Sequence, residues 1–240
     1  MADVKHDYFG EEIASRYDDE LGRWGDPERV DATARFLADL AGSGAALELA
    51  IGTGRIALPL AARGVHVHGI DLSEAMVARL RAKPGGDRIP VAIGDFATTR
   101  VDGLFSLVYL VFNTIMNLTT QDEQIACFEN AAAHLSPGGC FVVEVGVSSG
   151  GNLEVFDLSD THVGVDEWEP ATQRLVSHHL SLVDGQWVRN SIPFRSAPPG
   201  ELDLMARIAG MRLRERWGGW NGEPFSGETT RHVSVWEKTA

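Results

Sequence analysis

The sequence predicts an α/β fold built on a doubly wound, mostly parallel sheet. Apolar segments of strand length alternate with helices that have one apolar face, from residue 26 to residue 146. Residues 104–112 form a nearly continuous apolar run, which is typical of a central strand in a parallel sheet. A glycine turn at residues 52–54 joins a short apolar strand to a helix. With right-handed crossovers, a ligand would lie at the carboxyl ends of the strands, where the strand order reverses.

The length and composition are those of a globular protein with one full domain, or one domain plus an embellishment. The chain has 240 residues, of which 44% are hydrophobic and 23% are charged. Its formal net charge is -13 and its basic residues form no cluster, so binding to a nucleic-acid backbone is unfavourable. The N-terminus is polar, unlike a signal peptide, and no apolar run approaches the ~20 residues needed to cross a bilayer. We therefore predict a cytoplasmic protein, monomeric or homodimeric, that binds neither nucleic acid nor membrane.

The two cysteines, Cys127 and Cys140, fall in a predicted helix and a predicted central strand. The chain has no Cys-x-x-Cys spacing and no cluster of metal-ligand residues in sequence. We predict two buried free thiols in a reducing compartment and no metal site.

The N-terminal region divides at residue 26. Asp26, Pro27 and Glu28 supply an N-cap, a proline at the first helical position and an early acid, which predicts a helix to about residue 40. Residues 1–25 are polar and predict a short helix with a mobile flap. This segment contains four aromatic residues: Tyr8, Phe9, Tyr17 and Trp24.

The turn after the first strand indicates a nucleotide site. Gly52 and Gly54 leave the main chain open to a ligand, and the helix over residues 55–63 directs its unpaired N–H groups toward the same place. The next strand ends at Asp71, about 20 residues later, where a ribose-binding acid is expected. An ordinary strand-to-helix turn, with Asp71 as a cap for the helix beginning at Ser73, remains an alternative.

The remaining segments continue the alternation of strands and helices at first, and the C-terminal part then departs from it. Thr120 and Glu123 form a capping box for a helix that ends near residue 135. Asp184-Gly185 predicts a hairpin between antiparallel strands, and Gly210 predicts the end of a later helix. The predicted segments are helix 73–83, strand 89–93, strand 140–145, two or three antiparallel strands within 162–196, helix 200–209 and a final strand pair, 211–217 and 232–237.

Four motifs in order then point to a family. They are Glu48 inside the first strand, the glycine turn, Gly94-Asp95-Phe96 after the third strand, and the run Leu135-Ser136-Pro137-Gly138-Gly139 before the fifth. Together they resemble the class I, Rossmann-like S-adenosylmethionine-dependent methyltransferases of the small-molecule type. The resemblance covers residues 45–146 and extends more loosely to the C-terminus. One departure is Ala50, where many members have a third glycine.

The resemblance implies a seven-stranded sheet with an antiparallel last strand. It also implies one domain with four parts. These are a flap (1–25), a cofactor-binding core (26–146), a small antiparallel β insert (147–200) and a last helix with a strand pair (201–240). The insert would cover the acceptor pocket; a dimer surface or a plain sheet extension remains open for it.

The resemblance also implies roles for single residues toward S-adenosylmethionine. The first strand and turn would hold the methionine end, Asp71 the ribose hydroxyls and Asp95 the adenine amino group. Phe96 would pack on the adenine, with plain core packing as its alternative. Tyr17 would close over the cofactor, with helix packing as its alternative; Trp24 is expected to be structural. The implied cofactor-binding residues are Tyr17, Glu48, Ala50, Gly52, Gly54, Arg55, Asp71, Leu72, Met76, Asp95, Phe96 and Asn113.

The expected reaction is methyl transfer to N, O or C of a small molecule, with S-adenosylhomocysteine as product. Positioning would supply most of the rate, and a hydroxyl acceptor would benefit from a general base. The candidate bases are Glu144, His162 and His178. Strand alternation places His178 and His179 on opposite faces, and His134 is expected to be a structural cation at a helix end.

Two other functions compete with this expectation. A nicotinamide-dependent oxidoreductase would use the same glycine turn, but the chain has no Tyr-x-x-x-Lys pair. A repurposed member of the fold could bind the cofactor without transferring a methyl group.

Overall fold

The computed structural model describes residues 9–20, 25–147 and 152–239. Tyr8 and Trp24 of the predicted flap lie outside these residues. The described helices are α1 (Glu11–Ala14), α2 (Tyr17–Glu20), α3 (Pro27–Ala41), α4 (Ala57–Ala62), α5 (Glu74–Ala82), α6 (Gln121–His134) and α7 (Pro199–Ile208). The described strands are β1 (Ala46–Leu49), β2 (Val67–Asp71), β3 (Val91–Ile93), β4 (Phe105–Leu110), β5 (Leu135–Gly146), β6 (Leu153–Leu158), β7 (His162–Glu169), β8 (Arg174–Val183), β9 (Gln186–Arg195), β10 (Met211–Trp217) and β11 (Arg231–Lys238).

Seven of these strands form the main sheet, in the order β10-β11-β5-β4-β1-β2-β3. Strands β1 to β5 are parallel to one another, whereas β11 is antiparallel to both β5 and β10. The chain order reverses between β1 and β4, which places the switch point next to the glycine turn. The predicted fold, including the antiparallel last strand, is confirmed.

The sheet has a core on each of its two faces, because the central strands are buried on both. One core contains Phe128 of α6 and Leu202 of α7, and the other contains Leu37 of α3 and Leu60 of α4. Every residue of β1 is buried. Strands that are buried on both faces are apolar along most of their length and not only at every second residue. Continuous apolar runs in the sequence therefore predicted them well.

Local capping signals place the helix ends. The Asp26 side chain accepts a hydrogen bond from the Glu28 N–H at 3.0 Å, and Thr120 and Glu123 form the complete capping box. Gly210 has a φ of 76°, as expected of the left-handed residue that ends a helix. Both cysteines are free and buried, as predicted.

The start of strand β5 differs from the prediction. The helix α6 ends at His134, and Leu135 already pairs with Phe105, but the pairing then jumps from Leu135 to Cys140. The four residues 136–139 therefore loop out as an irregularity inside the strand, with Gly138 at a φ of 76°. A glycine-proline run predicts a break, but only the register shows that the strand begins before it.

His134 is structural, but it is not the cation that the sequence predicted. The side chain is buried; Nδ1 bonds the Asn130 carbonyl oxygen at 2.8 Å, and Nε2 accepts the Val101 N–H at 3.0 Å. Burial lowers the pKa of His134. A ring nitrogen that accepts a hydrogen bond has no proton, so the imidazole is neutral here.

A second sheet contains four antiparallel strands in the order β6-β7-β8-β9. The hairpin at Asp184 and Gly185 is confirmed, and both residues have the positive φ of a primed turn. Strand β6 was not predicted. It is an edge strand in which all six residues are exposed, so it has no pattern of burial for the sequence to show.

Arg195 at the end of β9 attaches this second sheet to the main domain. Its guanidinium donates to Gln124 of α6 at 2.5 Å, to Gln173 at 2.6 Å and to Glu201 of α7 at 2.6 Å. The Arg195 side chain is 7% exposed and that of Glu201 is 15% exposed. This cluster joins the insert to α7, which follows it directly in the chain, and to α6, which is distant from Arg195 in sequence.

Replacing Arg195 with methionine is expected to lower the free energy of unfolding by about 1.5–3 kcal/mol, the range for hydrogen bonds to charged groups. Burial alone would raise the pKa of Glu201, but hydrogen bonds from Arg195 and its glutamine neighbours outweigh it, and the pKa lies below its usual 4.5. The stability from this carboxylate is therefore present above pH 4.5 and is lost as the pH falls through its lowered pKa.

Urea unfolding at pH 7 and at acid pH checks this prediction. In the wild type, the free energy of unfolding should fall at acid pH as Glu201 is protonated. This fall should be smaller in Arg195→Met. Arg189→Met, on an exposed residue of the same strand, is the matched control and should change stability little. Equal losses in the two variants would contradict the proposed anchor.

No helix in the described part of the chain combines the length and the apolar character that crossing a membrane requires.

Candidate active site

A small cavity lies at the carboxyl ends of β1 and β4, at the switch point of the sheet. It has a volume of about 40 Å³. Five residues predicted to hold the cofactor are in its wall: Tyr17, Glu48, Ala50, Gly52 and Arg55. The other lining residues are Ile51, Thr53, Ile56, Val111, Phe112 and Thr114.

The turn after β1 depends on three residues with left-handed main-chain conformation. Ala50, Gly52 and Gly54 have φ values of 56°, 56° and 78°. A side chain on Gly54 would come within 2.3 Å of a Leu80 methyl carbon, so this glycine is required by packing against α5. Gly52 is the glycine that keeps the cavity wall open. Ala50 adopts a conformation that glycine adopts more easily, which explains why a glycine would also fit there.

Asp71 closes the turn from the end of β2. It is 7% exposed; one oxygen accepts the Gly52 N–H at 2.6 Å and the other accepts the Ser73 N–H at 2.8 Å. The cap that the sequence offered as an alternative role is therefore present.

Glu48 is a buried acid in the floor of the cavity. The Tyr109 hydroxyl donates to its Oε2 at 2.9 Å. Burial raises the pKa of Glu48 to about 8, although Tyr109 and Arg55 oppose this shift. Glu48 is therefore mainly protonated at neutral pH. Arg55 lies over the Phe112 ring, 4.9 Å from its centroid.

The N-terminal segment covers the turn. Thr53 Oγ1 donates to Asp18 at 2.6 Å, and Lys83 Nζ lies 2.5 Å from the other Asp18 oxygen. This pair of contacts holds Tyr17 against the cavity. Burial raises the pKa of Tyr17 to about 12, so its phenol is neutral at physiological pH.

The residues predicted to hold the adenine lie along the same edge of the sheet, outside the small cavity. The Gly94 N–H donates to the Asp71 carbonyl oxygen at 2.8 Å, which joins the ends of β2 and β3. The Asp95 side chain accepts the Ala97 N–H at 2.9 Å. Leu72 is 38% exposed, whereas Phe96 is 8% exposed within the core.

Met76 and Asn113 have clear structural contacts. The Met76 methyl lies 3.5 Å from where a side chain on Gly52 would begin, so it packs against the glycine turn. Asn113, with a φ of 61°, accepts the Gly146 N–H at 2.7 Å and donates its own N–H to the Glu144 carbonyl oxygen at 3.2 Å. Asn113 therefore joins the ends of β4 and β5.

Each of the three candidate bases has other partners. Glu144 is buried and paired with Arg29, lies 3.6 Å from Arg231, and accepts the Phe112 N–H at 3.1 Å. His178 bonds Ser191 at 2.8 Å and lies 3.2 Å from Glu167.

His162 belongs to a short hydrogen-bonded chain on the insert. Its Nδ1 lies 2.5 Å from Asp157, and its Nε2 lies 3.2 Å from His179. The pairing of β8 with its neighbours places His178 and His179 on opposite faces, as predicted.

Sequence reasoning missed several residues of this region. Arg29 and Arg231 hold Glu144, and Tyr109 holds Glu48, but each partner is far away in the chain. The one available signal was parallel pairing of the first and fourth strands, which aligns Glu48 with Tyr109.

Known proteins share this fold. Residues 46–139 match a family model described as a methyltransferase domain. The chain is 31% identical over 189 residues to the dTDP-3-amino-3,6-dideoxy-alpha-D-glucopyranose N,N-dimethyltransferase of Streptomyces fradiae, covering 72% of each chain. It is 29% identical over 203 residues to a cypemycin N-terminal methyltransferase from a Streptomyces species, covering 80% of this chain and 82% of the relative.

A solved structure agrees with these relatives. The CcbJ methyltransferase from Streptomyces caelestis superposes with a TM-score of 0.86 and 37% identity, covering 97% of this chain and 98% of the other. The fold and the glycine-turn site thus define an enzyme of the methyltransferase class. The chain belongs to the S-adenosylmethionine-dependent methyltransferases that act on small molecules. The oxidoreductase alternative and the alternative without methyl transfer are both set aside.

Proposed function

We propose that this enzyme methylates an amine nitrogen of a small polar molecule. The observation that supports this most directly is the state of Glu144. This acid faces the active-site edge, yet it is bound by Arg29, Arg231 and the Phe112 N–H. A hydroxyl acceptor would benefit from a free general base, whereas an amine that arrives already neutral needs alignment alone.

The names of three relatives support the same choice. One is an N-terminal methyltransferase, and two are N,N-dimethyltransferases that act on dTDP-linked amino sugars. Each amino-sugar enzyme is named for methylation at nitrogen, and a peptide N-terminus is also an amine.

The cavity residues fit S-adenosylmethionine. Glu48 is a buried acid in the cavity floor whose pKa is raised by burial despite Arg55 nearby, and the methionine ammonium would favour its ionised form. At Gly52 the absent side chain leaves the main chain accessible. When bound, the cofactor supplies an electrophilic methyl group on a sulfonium sulfur.

We assign the predicted residues accordingly. The turn from Ala50 to Gly54 would hold the methionine end, with Arg55 and Asn113 beside it. Asp71 would accept the ribose hydroxyls, next to Leu72 and Met76. Asp95 and Phe96 would hold the adenine. These residues orient the reacting groups and exclude water, and such positioning lowers a barrier by up to roughly 7–11 kcal/mol.

Residues 9–20 would act as the lid. The present cavity of about 40 Å³ is far below the roughly 300 Å³ at which ligand pockets begin. The contacts of Asp18 with Thr53 and Lys83 hold the lid closed, so they would break and re-form around the cofactor. A cytoplasmic location, a monomer or homodimer, and no binding to nucleic acid stay predictions.

Turnover with labelled cofactor tests the proposed function. Amines, phenols and sugar alcohols would be offered in parallel, and we expect label in amine products only, with S-adenosylhomocysteine formed in equal amount. Transfer to hydroxyl groups alone would overturn the choice of nitrogen.

A pair of glycine variants provides the control for this assay. Gly52 and Gly64 both have positive φ, but only Gly52 lines the cavity, and a side chain on Gly64 would meet open space. Gly52→Ala should weaken cofactor binding and slow transfer, while Gly64→Ala should affect stability alone. Equal activity of the two variants would contradict the proposed site.

We expect cofactor binding to release a proton from Glu48. Its pKa is about 8 in the free site, and a neighbouring ammonium favours the ionised form. Below pH 8, most sites therefore lose one proton on binding, while well above pH 8 they lose none. The binding enthalpy at pH 7 should then differ between phosphate and Tris by the difference in the ionisation enthalpies of the two buffers.

Glu48→Gln is the matched control, because glutamine retains an acceptor for the Tyr109 hydroxyl but cannot ionise. Its binding enthalpy should be the same in both buffers. A wild-type enthalpy that does not depend on the buffer would mean that the ammonium does not meet Glu48.

A further inference from the structure

The turn that follows β4 has a main chain that its residue types disfavour. The Thr114 N–H donates to the Val111 carbonyl oxygen at 3.3 Å, which closes a four-residue turn. Its two central residues, Phe112 and Asn113, both have a φ of 61°. Positive φ at both central positions is typical of a type I′ turn, where asparagine and glycine are common. Phenylalanine in this conformation costs free energy, which other contacts must offset.

The end of β5 holds this turn through three hydrogen bonds. Glu144 Oε2 accepts the Phe112 N–H at 3.1 Å, and the Glu144 carbonyl oxygen accepts the Asn113 N–H at 3.2 Å. The Asn113 side chain accepts the Gly146 N–H at 2.7 Å. Two of these bonds end on main-chain atoms of β5, so only the bond to Oε2 depends on the side chain of residue 144.

Two arginines direct the Glu144 carboxylate. Arg29 of α3 bonds Oε1, and Arg231 of β11 lies 3.6 Å from the same oxygen. The other oxygen, Oε2, accepts the Phe112 N–H. The Glu144 side chain is 5% exposed and does not line the cofactor cavity. Each oxygen therefore has its own partners, and the carboxylate is a fixed acceptor behind the cavity wall.

The turn forms one wall of the cofactor cavity. Val111, Phe112 and Thr114 all line it. Arg55 lines it too, and its guanidinium lies over the Phe112 ring, 4.9 Å from the centroid. A change of main-chain conformation at residue 112 would therefore displace the ring and remove the surface against which Arg55 lies.

We propose that Glu144 is a positioning residue for the cofactor site. Its Oε2 holds the Phe112 N–H and keeps residue 112 in its left-handed conformation, so that Phe112 and Arg55 form the wall that the cofactor contacts. The inference rests on the proposed binding of S-adenosylmethionine in this cavity. It gives Glu144 a role in place of the proton transfer that the sequence suggested.

A double-mutant cycle tests this role. Glutamine at residue 144 has one acceptor oxygen, which can serve Arg29 or Phe112 but not both, so Glu144→Gln should weaken the hold on the turn. Glycine adopts positive φ freely, so Phe112→Gly removes the need for that hold. Isothermal titration would measure the Kd of S-adenosylmethionine for the wild type, both single variants and the double variant. Glu237→Gln is the matched control, because its carboxylate pairs with Arg212 at the other end of β11, and it should leave Kd unchanged.

We expect Glu144→Gln to raise the Kd at least about tenfold, but by less than about twofold when residue 112 is already glycine. A general loss of stability would weaken binding alike in both backgrounds. Equal effects in the two backgrounds would therefore overturn the proposal, and so would wild-type affinity in Glu144→Gln.

Hydrogen exchange of the Phe112 amide tests the hold without the cofactor. The chain has 10 phenylalanines, so labelling them with ¹⁵N gives few NMR signals, and Phe112→Leu identifies the signal of residue 112. We expect slow exchange in the wild type and exchange at least about tenfold faster in Glu144→Gln.

The exchange data also separate this inference from the proposed function. Fast exchange of the Phe112 amide in the wild type would overturn the inference even if Glu144→Gln does not fold. A wild type that binds no S-adenosylmethionine would contradict the proposed function, whereas slow exchange that depends on Glu144 would still support the hold on the turn.

Discussion

Asp71→Ala is expected to weaken S-adenosylmethionine binding by about 1–3 kcal/mol, the cost of losing a buried hydrogen-bond partner. This corresponds to roughly 5- to 150-fold in Kd. The side chain would lose its bonds to the ribose hydroxyls. It would also leave the Gly52 N–H without its acceptor at 2.6 Å, so the glycine turn itself becomes less well held. Isothermal titration measures the change.

Two further variants separate the ribose from the turn. Asp71→Asn retains one acceptor oxygen, which can serve Gly52 or Ser73 but not both, so its affinity should lie between wild type and alanine. Asp39→Ala removes one exposed charge far from the site and should leave Kd unchanged. Wild-type affinity in Asp71→Ala would refute the ribose assignment.

Trp236→Ala is expected to lower the free energy of unfolding by about 3–5 kcal/mol, as for large aromatic residues in a core. Trp236 is fully buried on β11, and its ring centroid lies 5.2 Å from that of Phe128 and 6.2 Å from that of Phe141. Its indole N–H donates to Asp203 at 2.8 Å. Alanine would leave a cavity at the centre of this cluster and one fewer donor to Asp203. Guanidinium unfolding followed by circular dichroism measures the change.

The controls for this prediction differ in burial and in shape. Trp236→Phe retains a ring, and Arg216 still binds Asp203 at 2.6 Å, so a smaller loss is expected. Trp187→Ala, at a half-exposed position, should change stability by less than about 0.5 kcal/mol. Similar losses at residues 187 and 236 would mean that the aromatic cluster does not stabilise the fold.

The cofactor half of the site was largely predictable because its signals are local. The glycine turn, Asp71 and the capping residues each lie within a few residues of the element they shape. Glu48, Gly52 and Asp71 come together because parallel strands end at one edge of a sheet. The strand order therefore brings these three residues, which are separated in the chain, to one place in the structure.

The acceptor half was not predictable in the same way. The sequence suggested Glu144 as a base, but Arg29 and Arg231 bind it, and neither is near it in the chain. A cleft of about 830 Å³ between α3 and the loop before β11 was not predicted either. No periodicity links these elements, because they meet only when the last strand inserts beside β5.

The sequence alone determined the α/β alternation, the glycine turn and the acid that follows the second strand, since each depends on neighbours in the chain and on regular spacing. Tertiary structure decided the partners of Glu144, the Arg195 anchor and the cleft beside α3. These features depend on contacts between distant segments, and such contacts follow from how the layers pack around the sheet.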